Sequence, residues 1–333
     1  MKRIGVTGAA GFVGSHLCER LLADGYEVVG IDDLSYGTMD NLEPCVGHAR
    51  FTFEVLDCTN RRPLRTAFDG CDAIAHLAAK KIPRFGGVLS TLETNVHGVD
   101  AACAVALSLD ADIIVTSTSD VYGMATPPFR EDGELVLGPP TTKRWSYAVS
   151  KLYDEHHALA LADEQGLRVT VLRLFNAYGP RNHPSWWGGP TTAFTEALLD
   201  GKQMEIHGDG LQTRTFTYVT DTVDGFVRAL ERPASRGEVI NVGGTETYTI
   251  LDVAAAIQEE LGITQPLRAT FVPYESLPGN YQDVRHRVPD TTKATRLLGF
   301  VARTPFGEGL RRTVSWHREH HAARATAAEA AHA

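Results

Sequence analysis

The sequence predicts an α/β protein built on a doubly wound parallel sheet, with a smaller C-terminal α/β lobe that binds substrate. Two observations predict this fold. Through about residue 180, short runs rich in β-branched residues alternate with amphipathic stretches, a pattern typical of parallel strands joined by crossover helices. In addition, a glycine-rich turn follows the first such run and opens the first amphipathic stretch. Ligands of such sheets bind beyond the carboxyl ends of the strands.

The elements of the first 180 residues follow in chain order. The predicted strands are Lys2–Thr7, Tyr26–Asp32, Phe51–Leu56, Ala73–Ala78, Ile113–Ser117 and Val169–Phe175. The predicted helices are Phe12–Asp24, Leu92–Leu107 and Ser150–Gln165. In the first helix Leu17 and Leu21 recur at helical spacing, so one of its faces is apolar.

After residue 180 the predicted strands become fewer and the connections longer. We expect helices at Thr191–Asp200, Thr222–Glu231 and Ile250–Leu261, and strands at Met204–His207 and Val239–Val242. These features predict a cofactor-binding domain over residues 1–180 and a substrate-binding lobe over 181–316, with the chain passing between the two. Residues 317–333 form an alanine-rich tail, either a fraying helix or disordered, to which we assign no function.

Composition excludes several classes of protein. The chain has 333 residues, 43% of them hydrophobic, and a net charge of −9, which argues against binding nucleic acid or an anionic membrane through bulk charge. No apolar run reaches about 18 residues, so we expect no membrane span. The five cysteines form no CxxC pair, so we expect reduced, buried thiols, no metal site and a cytoplasmic protein.

The segment Gly8-Ala9-Ala10-Gly11-Phe12-Val13-Gly14 is the cofactor signal. Glycines let a phosphate approach the helix N-terminus, where free N–H groups favour an anion. On its own this spacing is also compatible with a tight turn. Here it lies between a strand and a helix, and Asp32 ends the next strand. An acid at that position accepts ribose hydroxyls and repels a 2′-phosphate, which predicts a Rossmann domain that binds NAD rather than NADP.

Tyr147 and Lys151 form a YxxxK pair on one helix face. An ammonium beside a phenol favours the phenolate, and the sequence therefore predicts that Lys151 lowers the pKa of Tyr147. A phenol activated in this way is a general base for a substrate hydroxyl. The alternative is an exposed helix pair without function. The glycine-rich turn and the Ser117–Gly123 segment that ends the fifth strand favour the catalytic interpretation.

These motifs together resemble the extended short-chain dehydrogenase/reductase family over about residues 1–310, and within it the enzymes that modify nucleotide sugars. The resemblance implies that Thr118 shares the substrate proton with Tyr147, after transient oxidation of the sugar at C4. The cofactor contacts it implies are Gly8, Gly11, Phe12, Val13, Gly14, Asp32, Asp57, Cys58, Leu77, Ala78, Ala79, Tyr147 and Lys151. A homodimer is usual in this family.

The resemblance also implies a site for the nucleotide sugar. Asn176, in Leu174-Phe175-Asn176, and Arg214 are expected to hold the diphosphate of a UDP-sugar, because a guanidinium suits an anionic oxygen pair. Lys81 and Arg84 follow the fourth strand and are candidates for contacting a sugar carboxylate, although solvated loop charges are equally compatible with the pattern.

The reaction after oxidation is predicted from two further segments. Ser119-Asp120 stands where a 4,6-dehydratase needs an Asp–Glu pair, which disfavours dehydration. Lys143–Tyr147 and the segment Tyr281–Pro289 resemble UDP-glucuronate decarboxylases, in which an arginine at the position of Arg287 is functional. That family has Glu where this chain has Asp120. Catalytic roles are therefore expected for Thr118, Ser119, Asp120, Tyr147, Lys151 and Arg287, and substrate contacts for Tyr281 and Arg287.

We therefore expect a UDP-glucuronate decarboxylase that releases UDP-4-keto-pentose or UDP-xylose. The alternative is a 4-epimerase of UDP-glucuronate or UDP-glucose, which would use the same Thr118, Tyr147 and Lys151. A non-catalytic NAD-sensing protein is a minor alternative, because both Tyr147 and Lys151 are present.

Overall fold

The computed structural model describes residues 2–81 and 87–331, and the side chains of the last helix as far as residue 321. The strands are β1 (Arg3–Thr7), β2 (Glu27–Asp32), β3 (Phe51–Val55), β4 (Ala73–His76), β5 (Asp112–Thr118), β6 (Val169–Leu174), β7 (Ala177–Tyr178), β8 (Met204–His207), β9 (Thr213–Thr215), β10 (Thr217–Tyr218), β11 (Val239–Val242), β12 (Thr247–Thr249), β13 (Ala269–Val272) and β14 (His286–Arg287). The helices are α1 (Phe12–Ala23), α2 (Arg61–Ala67), α3 (Val88–Leu109), α4 (Trp145–Gln165), α5 (Pro190–Leu199), α6 (Val219–Glu231), α7 (Ile250–Glu260), α8 (Thr292–Leu298) and α9 (Phe306–Ala331).

Seven parallel strands form the central sheet in the order β11-β6-β5-β4-β1-β2-β3. The chain runs outward from β1 in both directions, so the strand order reverses between β1 and β4. Thr7, at the carboxyl end of β1, pairs with Ile31 on one side and with His76 on the other. This reversal is the point at which ligands bind in open α/β sheets, and the predicted fold class is confirmed.

Helices cover both faces of the sheet, which explains why its strands are nearly continuous apolar runs. On one face α1 and α6 bury Leu17, Leu21 and Phe226 in the same core cluster as β1. On the other face α2, α3 and α4 bury Leu64, Val99 and other apolar side chains against β4 and β5. The two packed layers hold the carboxyl ends of the strands in fixed positions.

Residues after the sixth strand build a second group of elements around α5, α7 and α9, which pack on one another. Within it, β13 pairs with β8, and β9 lies between β12 and β14 in a three-stranded sheet. Arg287 of β14 pairs directly with Arg214 of β9. β11 does not join these strands but extends the central sheet beside β6.

One helix prediction was wrong at its start. The helix predicted from Ser150 begins at Trp145, because Trp145 is buried there while the capping residue Arg144 offers no side-chain cap that would mark a start in the sequence. Of the two alternatives expected for the tail, a fraying helix or disorder, the structure has a helix, which continues α9 to Ala331. Alanine favours helix, and His317 and His321 of α9 contact Glu196 and Asp200.

All five cysteines are buried and free, as predicted. Among the described residues, no helix has the length and apolar character needed to cross a membrane.

Candidate active site

A cleft of about 980 Å³ opens where the strand order reverses. The glycine-rich turn forms its floor and requires two of its glycines. Gly8 has a φ of +70°, and a Cβ on Gly14 would lie 2.0 Å from the carbonyl oxygen of Gly8. The turn is therefore a backbone cradle at the N-terminus of α1, which suits a phosphate group.

Asp32 lines the same cleft at the carboxyl end of β2. Its carboxylate accepts hydrogen bonds from the backbone N–H groups of Ala10, at 3.1 Å, and Leu34, at 2.9 Å. Burial raises the pKa of Asp32, and these two bonds oppose that effect. The carboxylate is thereby oriented beside the glycine cradle, where it could accept both ribose hydroxyls of a dinucleotide.

Every residue that the sequence assigned to the cofactor lines this cleft. Beyond Gly8, Gly14 and Asp32, they are Gly11, Phe12, Val13, Asp57, Cys58, Leu77, Ala78, Ala79, Tyr147 and Lys151. The residues fit NAD, since a backbone cradle for the diphosphate and a carboxylate for a ribose lie in one cleft. Four further residues line the cleft that the sequence did not assign to the cofactor: Tyr36, Trp187, Trp316 and His320. Trp316 and His320 lie in the stretch of α9 around the predicted tail, which carried no motif.

Lys151 is buried on α4 and donates a hydrogen bond to Asp154 Oδ2 at 2.8 Å. The surroundings of Tyr147 differ from the sequence prediction. Burial raises the pKa of the Tyr147 phenol, with smaller contributions from Asp120 and Asp154, while a hydrogen bond with Thr118 and the charge of Arg287 lower it. For the protein groups alone the pKa of Tyr147 moves upward rather than downward, because burial of the phenol outweighs the groups that lower the pKa.

Thr118 ends β5 and stands next to Tyr147, as predicted. Its side chain is close enough to the phenol to lower the pKa of Tyr147, and its hydroxyl accepts a hydrogen bond from the backbone N–H of Asp120 at 3.2 Å. The short 3-10 helix Ser119–Tyr122 follows immediately and places the next two side chains at the same end of the sheet. Thr118, Tyr147 and Lys151 thus lie together, as proton transfer to and from a substrate hydroxyl requires.

Arg287 belongs to β14 in the second group of elements and contacts the two residues that follow Thr118. It is 7% exposed. Its Nη2 donates to Asp120 Oδ1 at 2.7 Å and its Nη1 to Ser119 Oγ at 3.3 Å. Arg144 donates to the same oxygen of Asp120 at 3.0 Å. Burial alone would raise the pKa of Asp120, but the two guanidinium groups outweigh it and lower the pKa to about 2. Asp120 is therefore ionised at neutral pH.

Asp283 is a second buried carboxylate, which pairs with Arg144 and Arg214. It accepts from Arg144 at 2.8 Å and from Arg214 at 2.9 and 3.0 Å, and the hydroxyls of Tyr274 and Tyr281 donate to it at 3.0 and 3.2 Å. Although burial opposes ionisation, the arginines hold the pKa of Asp283 well below its usual range. We call Arg144, Arg214, Arg287, Asp120 and Asp283 the arginine cluster; it carries a net charge of +1.

The sequence did not assign Arg144 or Asp283 a role, although both lie in the two segments that resemble decarboxylases. Their position within these two segments was the only indication in the sequence, because the contacts between the segments form only in the tertiary fold. Arg214 belongs to the cluster as predicted, but its guanidinium is engaged by Asp283 and by the carbonyl of Thr213.

Of the other predicted substrate residues, Lys81 lines the cleft and Asn176 does not. Asn176 donates its amide to the carbonyl of Thr215 at 2.7 Å and is absent from the described lining of the cleft. Lys81 is an exposed residue of the cleft; desolvation of its amine, opposed by the charge of Asp120, lowers its pKa to about 8. Arg84 lies outside the residues that the structure describes.

Comparisons with known proteins agree with this geometry. The model of the NAD dependent epimerase/dehydratase family matches residues 4–243. The chain is 35% identical over 327 residues to a UDP-N-acetyl-alpha-D-glucosaminuronate decarboxylase of Bacillus cytotoxicus, which covers 96% of this chain and 98% of that protein. It is 33% identical over 319 residues to UDP-glucuronic acid decarboxylase 1 of Danio rerio, covering 95% and 72% respectively.

Solved structures include epimerases with the same fold. A UDP-glucuronic acid 4-epimerase from Bacillus cereus, in complex with UDP-glucuronic acid and NAD, is similar with a TM-score of 0.86 and 31% identity. The match covers 95% of this chain and 99% of that one. Similarity therefore extends to decarboxylases and to epimerases.

Proposed function

Because the chain belongs to the NAD-dependent epimerase/dehydratase family, a group of extended short-chain dehydrogenase/reductase enzymes that act on nucleotide sugars, we propose that it decarboxylates a UDP-hexuronate, first of all UDP-glucuronate. The enzyme is NAD-dependent. The proposal concerns the step that follows oxidation at C4, with UDP-4-keto-pentose or UDP-xylose as the product.

The arginine cluster is the observation that carries the proposal. Arg287 is buried close to Thr118 and Tyr147. Its Nε has no hydrogen-bond partner among the described residues. A buried donor of this kind costs free energy unless a ligand satisfies it. The carboxylate at C6 of a hexuronate supplies the matching acceptor and the negative charge that the cluster, at +1, lacks.

The same cluster argues against dehydration. Expelling a hydroxyl from C6 needs a general acid, and a carboxyl whose pKa is about 2 is not protonated at neutral pH. Ser119, the other side chain at this position, is a weak acid. Asp120 instead serves to orient Arg287 and Arg144.

The protein groups divide the reaction as follows. The glycine turn, Asp32 and Lys151 would hold NAD, which would supply the hydride acceptor for C4 and, where UDP-xylose is the product, the donor that reduces C4 again. Tyr147, with Thr118, takes the proton of the C4 hydroxyl. The resulting 4-keto sugar is a β-keto acid, in which the C5–C6 bond breaks, CO₂ leaves and the electron pair forms an enolate on C4. Arg287 holds the departing carboxylate and C5 takes up a proton from water. When C4 is reduced again to give UDP-xylose, Tyr147 returns its proton to the C4 oxygen.

The test is an incubation of the enzyme and NAD with UDP-glucuronate, followed by mass spectrometry of the nucleotide sugars. We expect a product lighter by one CO₂ if it is UDP-xylose, or by one CO₂ and two hydrogen atoms if it is UDP-4-keto-pentose, and neither with Tyr147→Phe. A product of unchanged mass would identify a 4-epimerase instead and refute the proposal. UDP-N-acetylglucosaminuronate is tested in parallel, because its C6 carboxylate is the same and only the C2 substituent differs.

We also propose that the enzyme forms a homodimer through α3 and α4. These two helices pack together and expose Leu89, Val149 and Tyr153. Light scattering after gel filtration should give twice the chain mass of 36.2 kDa; a monomer at micromolar concentration would contradict this.

A further inference from the structure

The catalytic helix α4 carries a third buried charge in line with Tyr147 and Lys151. Asp154 follows Tyr147 by seven residues and Lys151 by three, so all three lie on one face of the helix. The Lys151 ammonium and the Asp154 carboxylate are 2.8 Å apart, with side chains that are 2% and 0% exposed. No motif in the sequence assigns Asp154 a role.

We propose that Asp154 is a positioning residue for C4 oxidation, which holds the Lys151 ammonium at the cofactor cleft and offsets part of its charge at Tyr147. The inference rests on the proposed oxidation step, and it is independent of the decarboxylation that follows. Because Lys151 lines the cleft, fixing its ammonium also fixes the group expected to hold the cofactor.

A comparison with the next residue separates this pair from a purely structural one. Glu155 also forms a buried ion pair, with Arg173, but both of its carboxylate oxygens accept hydrogen bonds from the guanidinium, at 2.9 and 2.7 Å. Asp154 has only Lys151, and its Oδ1 has no partner among the described residues. A buried carboxylate with one partner stabilises a fold poorly, which favours a role at the cleft.

The charges around the pair come from every element packed against it. These titratable groups, charged or neutral, are His76 of β4, Asp100 and Cys103 of α3, Asp120 after β5, and Tyr147, Glu155 and His157 of α4 itself. Burial, with a contribution from Lys151, lowers the pKa of His76 to about 3, so this imidazole is neutral. Asp154 is therefore the carboxylate that directly contacts Lys151 on this face of the helix.

The expected size of the effect follows from helix geometry. Seven residues at about 1.5 Å each place Asp154 roughly 10 Å from Tyr147. At an effective dielectric constant of about 20, one charge at that distance changes the phenol's titration midpoint by about one pH unit. Removing the negative charge should therefore allow Tyr147 to act as a base at lower pH.

The test compares Asp154→Asn with Asp163→Asn, which removes an exposed carboxylate from the same helix. Formation of reduced nicotinamide on mixing with UDP-glucuronate is followed across pH, and NAD affinity is measured by calorimetry. We expect the midpoint of the pH profile to fall by about one unit and NAD to bind more weakly in Asp154→Asn, with both quantities unchanged in Asp163→Asn. An unchanged midpoint in Asp154→Asn, or an equal shift in Asp163→Asn, would overturn the proposal.

A second variant covers the case in which Asp154→Asn does not fold. Asp154→Glu keeps the charge but moves the carboxylate, so we expect a wild-type midpoint with weaker NAD binding. A shifted midpoint, or unaltered NAD binding, in this variant would contradict the inference. Nicotinamide reduction precedes C5–C6 cleavage, so these readouts remain valid even if no CO₂ is released.

Discussion

Replacing Asp120 with Asn tests whether this residue is an ionised partner of arginines. Asp120 is 25% exposed as a side chain and lies 2.7 and 3.0 Å from two guanidinium groups. A folded-state pKa of about 2, against an ordinary value of 3.8, corresponds to about 2 kcal/mol of stabilisation at neutral pH. Asp120→Asn keeps the shape but loses that contribution. For a chain of 333 residues this lowers Tm by about 3 °C.

The pH dependence of the free energy of unfolding is a second test of whether Asp120 is ionised. The pKa of Asp120 is depressed on folding, so its stabilisation is complete above the unfolded value of 3.8 and is lost as the pH falls toward about 2. Urea unfolding of both proteins at pH 7 and at successively lower pH should show a difference of about 2 kcal/mol that shrinks below about pH 4. Equal stability at pH 7, or a difference independent of pH over that range, would refute the assignment.

Three other predictions follow from the same contacts. Gly14→Ala places a Cβ 2.0 Å from the Gly8 carbonyl and should weaken NAD binding on the order of 100-fold through overpacking; calorimetric affinity like wild type would contradict the cradle. Trp316→Ala removes a side chain that lines the cleft and should weaken NAD binding about ten-fold, whereas an unchanged NAD dissociation constant would show that α9 takes no part in the site. Arg287→Lys loses the contact to Ser119 and should lower kcat/KM for UDP-glucuronate about 100-fold while NAD affinity stays constant; an equal loss of both would indicate a folding defect.

The cofactor half of the site was largely predictable from the sequence, because its determinants are local. The glycine turn, Asp32 at the end of β2 and the Leu77–Ala79 stretch each follow a strand of the parallel sheet. The carboxyl ends of parallel strands meet at one edge, so correct strands were enough to bring these residues into one cleft. The NAD prediction and the fold class are confirmed on that basis.

The arginine cluster was predictable only in part. Arg214 and Arg287 were selected separately, but nothing local indicates that they are paired across β9 and β14, or that Asp283 binds both Arg214 and Arg144. Likewise, the spacing of Lys151 and Asp154 is visible in the sequence, but their burial is not, and burial determined the direction in which the pKa of Tyr147 moves. The catalytic roles of these residues stay predictions.

The central claim is that one site first oxidises C4 and then releases the C6 carboxylate. UDP-glucuronate labelled with deuterium at C4 and with carbon-13 at C6 tests both halves in one reaction. We predict labelled CO₂, with the deuterium either returned to C4 of UDP-xylose or retained on reduced nicotinamide beside UDP-4-keto-pentose, and neither outcome with Tyr147→Phe. A labelled carbon that stays in the sugar, or labelled CO₂ released at an undiminished rate by Tyr147→Phe, would contradict the account.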